Sequence, residues 1–183
     1  MNTYICILRG INVSGQKIIK MEALRNSLSQ LSFRGVLTYI QSGNIVFQYK
    51  TEETKVLEEL IHEKIKADFG FDVPVIVITG EKLRNIISGN VFTSDPEKDT
   101  SFLHVTFLAQ KPNSFDEAAI LAKKTEHEEI VFSDEAAYLF CPDGYGKTKL
   151  NNNFIESQLK VTATTRNWKT TLKLLELASV NEH

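Results

Sequence analysis

Apolar and polar positions run along this chain in two successive blocks of the same order. Thr3 to Leu8 is a short apolar run rich in β-branched and aromatic residues, the mark of a strand, and Arg9 to Lys20 is a loop carrying Gly10 and Gly15. From Met21 the apolar positions Met21, Leu24, Leu28 and Leu31 recur at helical spacing, and Gly35 follows them. Val36 to Gln41 and Ile45 to Tyr49 read as two strands joined across Ser42-Gly43-Asn44. Glu52 and Glu53 then open a helix with Val56, Leu57, Leu60, Ile61 and Ile65 on one face, acids that suit the positive end of its dipole. Val73 to Ile78 is a buried strand.

Residues 1–78 therefore follow the order β-α-β-β-α-β, in which two helices cover one face of a four-stranded antiparallel sheet. Residues 79–100 are a helix and linker: Thr79 caps a short helix through Leu83, Ile86 and Ile87, and Thr93 to Thr100, with Asp95-Pro96, is polar. Residues 101–165 repeat the order. Ser101 to Leu108 is a strand, and Ser114 with Glu117 forms a capping-box signature ahead of Ala118 to Ala122. Ile130 to Phe132 and Ala137 to Cys141 pair across Ser133-Asp134-Glu135, Leu150 to Leu159 is helical, and Val161 to Thr164 is a last short strand. Residues 166–183 add a C-terminal helix and tail, with Trp168, Leu172, Leu175 and Ala178 on one side. The fold class expected is α+β: two tandem ferredoxin-like (βαββαβ) halves with antiparallel sheets, plus an additional C-terminal helix. The repetition lies in pattern and hardly at all in residue identity.

Composition narrows the class. With 42% hydrophobic and 24% charged residues the chain can bury an ordinary core and is not a disordered one. No apolar stretch approaches the roughly 18 residues of a membrane span, so a cytoplasmic protein with no membrane partner is expected. Cys6 and Cys141 both fall in apolar runs without C-x-x-C spacing, which suits buried free thiols. The net charge of −2 excludes a protein coated in cations for long nucleic-acid tracts. Its distribution is uneven: residues 1–50 hold six Lys or Arg and one acid, residues 141–173 hold six against two, and residues 95–135 hold ten acids against four lysines. Two basic segments separated by acidic sequence point to an anion-facing surface.

Four segments are more polar than plain connectors need. They contain Arg9 and Asn12; Gln41, Ser42 and Asn44; Lys147, Lys149 and Asn152; and Thr165, Arg166, Asn167 and Trp168. In the last two, cations stand just before a predicted helix start, the unfavourable sign for the dipole unless an anion lies between. Gly146-Lys147-Thr148 is not a P-loop, because Cys141 occupies the position of its first glycine. An RNA-recognition module fits poorly: Tyr4 could stack a base, but Asn44 and Val46 stand where aromatics are wanted. His62, His104, His127 and His183 lack metal spacing, so no metal or cofactor is expected. Ser42 lacks the first glycine of a nucleophile elbow, Glu128-Glu129 and Asp134-Glu135 read as exposed turn charge, and no catalytic set emerges. Trp168 reads as a hydrophobic anchor, with base stacking as its alternative.

Leu8-Arg9-Gly10-Ile11-Asn12-Val13, Tyr39 to Phe47 and Thr164-Thr165-Arg166-Asn167-Trp168, with Gly144-Tyr145-Gly146 and Lys149-Leu150-Asn151 between, closely resemble a bacterial family known as domain of unknown function 1697. Ser14-Gly15 stands where many members carry two glycines. The resemblance implies a fold of two ferredoxin-like halves and brings no catalytic residues with it. The function expected is binding of a phosphate-bearing or otherwise anionic ligand, a nucleotide or short nucleic acid, in a basic cleft between the halves. An enzyme acting on a small anionic substrate and a protein-interaction scaffold are the alternatives.

Overall fold

The apolar run at the start of the chain forms β1 (Asn2–Leu8), buried from Thr3 to Leu8. It is followed by α1 (Met21–Ser29), β2 (Arg34–Tyr39), β3 (Asn44–Tyr49), α2 (Thr54–Phe69), β4 (Val75–Thr79) and α3 (Gly80–Ser88). Then come β5 (Leu103–Leu108), α4 (Glu117–Leu121), β6 (Glu129–Phe132), β7 (Ala136–Phe140), α5 (Asn152–Leu159), β8 (Ala163–Asn167) and α6 (Trp168–Asn181). The computed structural model describes residues 1–181. It is a mixed α/β structure with two four-stranded antiparallel sheets, ordered β2-β3-β1-β4 and β6-β7-β5-β8, and six α-helices among the described residues. By its contacts the chain divides into a first unit, Met1–Asn85 with the segment from Lys173 onward, and a second, Ile86–Leu172.

In the first unit, period-two alternation along β1 sends Tyr4, Cys6 and Leu8 into a core with Leu24 and Leu28 of α1 and Leu57, Ile61 and Ile65 of α2. Ile5 and Ile7, between them, are also fully buried. Burial on both faces is why this strand reads as a continuous apolar run. The rings of Phe33 and Phe47 stack with centroids 4.1 Å apart. Ser27 Oγ donates to Asp68 Oδ2 at 2.6 Å, tying α1 to α2, and Lys82 N donates to Thr79 Oγ1, the cap expected for α3.

The second unit builds its core from Leu108, Ile120, Ile130, Leu139, Ile155, Leu159 and Ala163. Both units close their corners in the same way. At the end of the first strand, Leu8 N donates to Gly43 O at 2.8 Å and Leu108 N to Glu135 O at 3.1 Å, hooking strand to hairpin turn. One residue on, Arg9 N donates to Pro74 O and Ala109 N to Thr162 O, hooking the same corner to the approach of the last strand. Each last strand lies at a sheet edge, where outward amides lack a ladder partner. Glu58 Oε1 of α2 accepts Val77 N at 2.9 Å, and Glu156 Oε1 of α5 accepts Ala163 N at 3.2 Å. Burial pushes the Glu58 carboxyl above its ordinary range, partly offset by that bond from Val77.

Several sequence expectations need correction. The helix at 117 is capped by Asp116, whose side chain accepts from Ala119 N, so Ser114 forms no capping box. The polar stretch 93–100 carries parts of two short 3-10 turns, Val91–Ser94 and Thr100–Phe102, capped by Asn90 and Asp99. The last strand extends to Asn167, placing Thr165, Arg166 and Asn167 in β8 instead of a loop. On α6 the buried positions are Trp168, Thr170, Thr171, Leu174 and Ala178, whereas Leu172 is 42% exposed. Val56, expected on the buried face of α2, is 48% exposed. Glu128 is buried instead of exposed on a turn, its Oε2 accepting Thr125 N at 2.9 Å.

Gly43 sits at φ +79°, and a Cβ there would lie 2.7 Å from Leu8 Cβ and 2.9 Å from Ile11 Cδ1. Gly10, at φ +72°, has nothing within 4 Å of its Cβ position. Gly10→Ala is expected to cost about 1 kcal/mol, the left-handed penalty alone. Gly43→Ala is expected to cost about 3 kcal/mol or more, because overpacking adds to the same penalty. Urea denaturation of the two variants measures the difference.

Candidate functional site

The loop from Arg9 to Lys20 is held by one side chain. Asn12 Nδ2 donates to Ile19 O at 2.9 Å and to Gln41 O at 2.8 Å, while its Oδ1 accepts Ile19 N at 2.8 Å. Asn12 N donates to Lys17 O, closing the loop on itself. The clamp joins the loop to the β2–β3 turn, whose Asn44 is fully buried and donates from Nδ2 to Tyr39 O and Ser42 Oγ. The four residues Asn12, Gln41, Ser42 and Asn44 thus form one connected corner beside Arg9, whose amide is fixed on Pro74 O.

The backbone of this corner is unusual. φ is positive at Gly10, Asn12, Ser14, Gly15 and Lys17, and again at Ile40 and Gly43, with Ile11 and Val13 negative between. Alternating sign along consecutive residues turns successive amides toward one side, the geometry of an anion-binding nest. Among the described residues, the amides of Gly10, Ile11 and Ser14 donate to no protein acceptor. Ile40, a β-branched residue at φ +50°, is the costliest of these conformations. Sequence reasoning missed Lys17, Ser14 and Ile40, because positive φ at non-glycine residues leaves no compositional trace.

The loop itself carries only basic charge. No acid precedes Glu22 in the chain, while Arg9, Lys17 and Lys20 fall within the loop or at its ends. Lys17 Nζ donates to Asp72 O at 2.5 Å. The Asp72 carboxyl is held below its ordinary value, chiefly by its hydrogen bond from His62, with Lys66 and Lys17 contributing.

The candidates of the second unit serve that unit's own framework. Asn152 Nδ2 donates to Ala163 O, Thr165 Oγ1 donates to Asn152 Oδ1, and Thr165 meets Thr106 Oγ1 at 2.8 Å, stapling α5 across β8 to β5. Arg166 Nη1 donates to Thr164 Oγ1 and Thr165 O, folding back on its strand. Asn151 accepts Phe154 N and Asn167 accepts Thr170 N. Asparagine side chains therefore already cap the two helix starts at which the cations stood with the unfavourable sign. Lys147 and Lys149 are exposed, and Trp168 is 7% exposed, an anchor and not a stacking platform. Tyr4 is fully buried, its hydroxyl donating to Glu52 O, so it offers no face to a base.

Cys6 and Cys141 are buried free thiols, as expected. Burial pushes the Cys141 thiol up to about 12, with the Glu128 carboxylate adding to the rise and a Thr148 hydrogen bond opposing it. Of the histidines, His62 bonds Asp72 at 2.7 Å, His127 is exposed, and His104 stacks on Tyr145 with centroids 4.6 Å apart. His183 lies outside the described residues. Among the described residues, no group of three or more His, Cys, Asp or Glu is placed to hold a metal ion.

An α+β protein of two four-stranded sheets, with a basic, amide-lined loop at one corner of the first, is the class that fold and site define. The chain belongs to the family described as protein of unknown function DUF1697, whose profile matches residues 1–138. That span includes Arg9, Asn12 and Gln41–Asn44 and ends before Lys147 and the strand bearing Arg166. No curated protein matches the chain. A solved structure, the conserved bacterial protein SP0830 from Streptococcus pneumoniae, is similar over 97% of this chain and 98% of its own, with TM-score 0.71 and 23% identity, a likeness of fold.

Two outcomes follow from these contacts. Asn12→Ala removes three hydrogen bonds, two of them part-buried, and is expected to lower stability by about 2 kcal/mol in urea denaturation, with hydrogen exchange rising at Ile19. His104 is held below its ordinary value of 6.5 chiefly by burial, so the unfolded chain takes up its proton first. Its contribution to stability is present above about pH 6.5 and lost as pH falls through the lower folded value. His104→Phe keeps a ring against Tyr145 and is expected to flatten the fall of Tm between about pH 7 and 5.

Proposed function

We propose that the chain is a cytoplasmic protein of two tandem ferredoxin-like halves that binds a phosphate-bearing ligand, a nucleotide or short nucleic acid, on the Arg9–Lys20 loop of its first unit. The tandem reading is supported by the shared strand order, the matching corner hooks at Leu8 and Leu108, and the matching edge contacts of Glu58 and Glu156. Two free buried thiols suit a reducing compartment. Among the described residues, no helix is long and apolar enough to cross a membrane.

One observation carries the ligand reading: amides of Gly10, Ile11 and Ser14 without protein acceptors, in a loop of alternating φ that bears Arg9 and Lys17. Oriented amides are fixed partial charges already paid for in folding, so an anion accepting from them imposes no further ordering of the loop. Guanidinium and ammonium groups add charge-assisted bonds to phosphate oxygens. The Asn12 clamp keeps the loop in that shape before any ligand arrives.

Binding to the native state alone stabilises by RT ln(1 + [L]/Kd), about 2.7 kcal/mol at a hundredfold excess over Kd, a rise in Tm of about 5 °C or more. Scanning inorganic phosphate, nucleoside phosphates and short RNA should find such a rise with at least one. Arg9→Ala combined with Lys17→Ala should erase it, and Lys123→Ala should not. Arg166→Ala tests whether the second basic segment takes part. No rise across the panel would sink the reading.

A further inference from the structure

In the first unit, the corner between the first strand, its following loop and the hairpin turn is filled: Ile11 is 1% exposed, with its Cδ1 against Gly43. The corresponding corner of the second unit is marked by the hook from Leu108 N to Glu135 O. Here the loop after β5 and the end of β6 with its turn touch through the Phe115–Phe132 rings and the Lys111–Asp134 ion pair. They line an open surface pocket of about 670 Å³.

Its lining combines three kinds of group. Phe115 and Phe132, half-buried, meet with ring centroids 5.0 Å apart and planes tilted by 60°, and they pack against the unit's core. Lys111 and Asp134, one on each wall, pair at 2.8 Å with side chains 69% and 67% exposed. Asn113 adds a hydrogen-bonding group, whereas the Ser133 hydroxyl is taken up within the turn, donating to Ala136 O and accepting Glu135 N and Ala136 N. A pair so exposed contributes little to stability and exchanges readily for other partners.

We propose that this pocket binds a small zwitterion with an aromatic side chain, of the class of the aromatic amino acids. The ring adds an edge or face to the Phe115–Phe132 pair. The ligand's carboxylate accepts from Lys111 Nζ and its ammonium donates to Asp134, each replacing half of the existing ion pair. Matching a cation and an anion on opposite walls to a ligand carrying both leaves neither protein charge unpaired. The site shares no residue with the Arg9–Lys20 loop, so it stands independently of the phosphate reading.

The test is titration of the full chain with L-phenylalanine, followed by amide chemical shifts in NMR. Saturable shifts confined to residues 110–116 and 131–136 are expected. Phenethylamine, which lacks the carboxylate, 3-phenylpropionate, which lacks the ammonium, and L-alanine, which lacks the ring, should each bind about tenfold more weakly. Lys111→Gln and Asp134→Asn, both at exposed positions, should remove the preference for the zwitterion while leaving the unliganded Tm unchanged. Absence of saturable shifts, shifts elsewhere, or equal binding of L-alanine would overturn the proposal.

Discussion

The close approach of the Ser42–Asn44 turn to the end of β1 is the constraint on which the first unit's site depends. Gly43 lies against Leu8 and Ile11 at a distance no side chain allows, and Leu8 donates to its carbonyl. That contact seals the core under the corner and sets the height at which Gln41 O meets Asn12. With Asn12 bound on three sides, the Arg9–Lys20 loop keeps a succession of left-handed residues that free chain would abandon. Strain in the loop is thus balanced by a contact in the core.

The second unit has the corresponding strand order with different chemistry at each joint. Its corner hook runs to Glu135 in place of a glycine, and beside it lies an open pocket lined by Phe115 and Phe132, whereas Ile11 is buried at the first unit's corner. Its α5–β8 junction is braced by Asn152, Thr165 and Thr106, whereas at the first unit's α2–β4 junction Glu58 accepts Val77 N. In both, a carboxylate answers the outward amide of an edge strand. This protects the edge and costs the desolvation that raises the Glu58 value.

Much of the fold was legible because burial imposes periodicity. The β-branched and aromatic run at Tyr4 to Leu8 read as a strand, and Leu57, Ile61 and Ile65 as a helix stripe, and the structure shows both buried. Boundaries were less legible where polar residues sit inside regular structure: Thr165, Arg166 and Asn167 read as loop, yet pair with Thr106, Val105 and His104 in the sheet. Glu128 misled for a related reason. A carboxylate beside another looks solvated until the backbone amide of Thr125 is found to hold it indoors.

The order of strands and helices, the two buried thiols, the absence of a Walker A and the polar character of the candidate loops were determined by sequence alone, since each follows from local periodicity or from the residue required at one position. Tertiary structure decided which polar residues are employed in the framework. Asn152, Thr165 and Asn167 are bound to backbone and hydroxyl partners, while Asn12 clamps a loop whose Gly10, Ile11 and Ser14 amides donate to no described protein acceptor. An asparagine looks the same in sequence whether it braces a strand, caps a helix or clamps a loop, because the difference lies in partners many residues away. The open pocket at Phe115 and Phe132 is of the same kind, since its walls come from two segments separated along the chain.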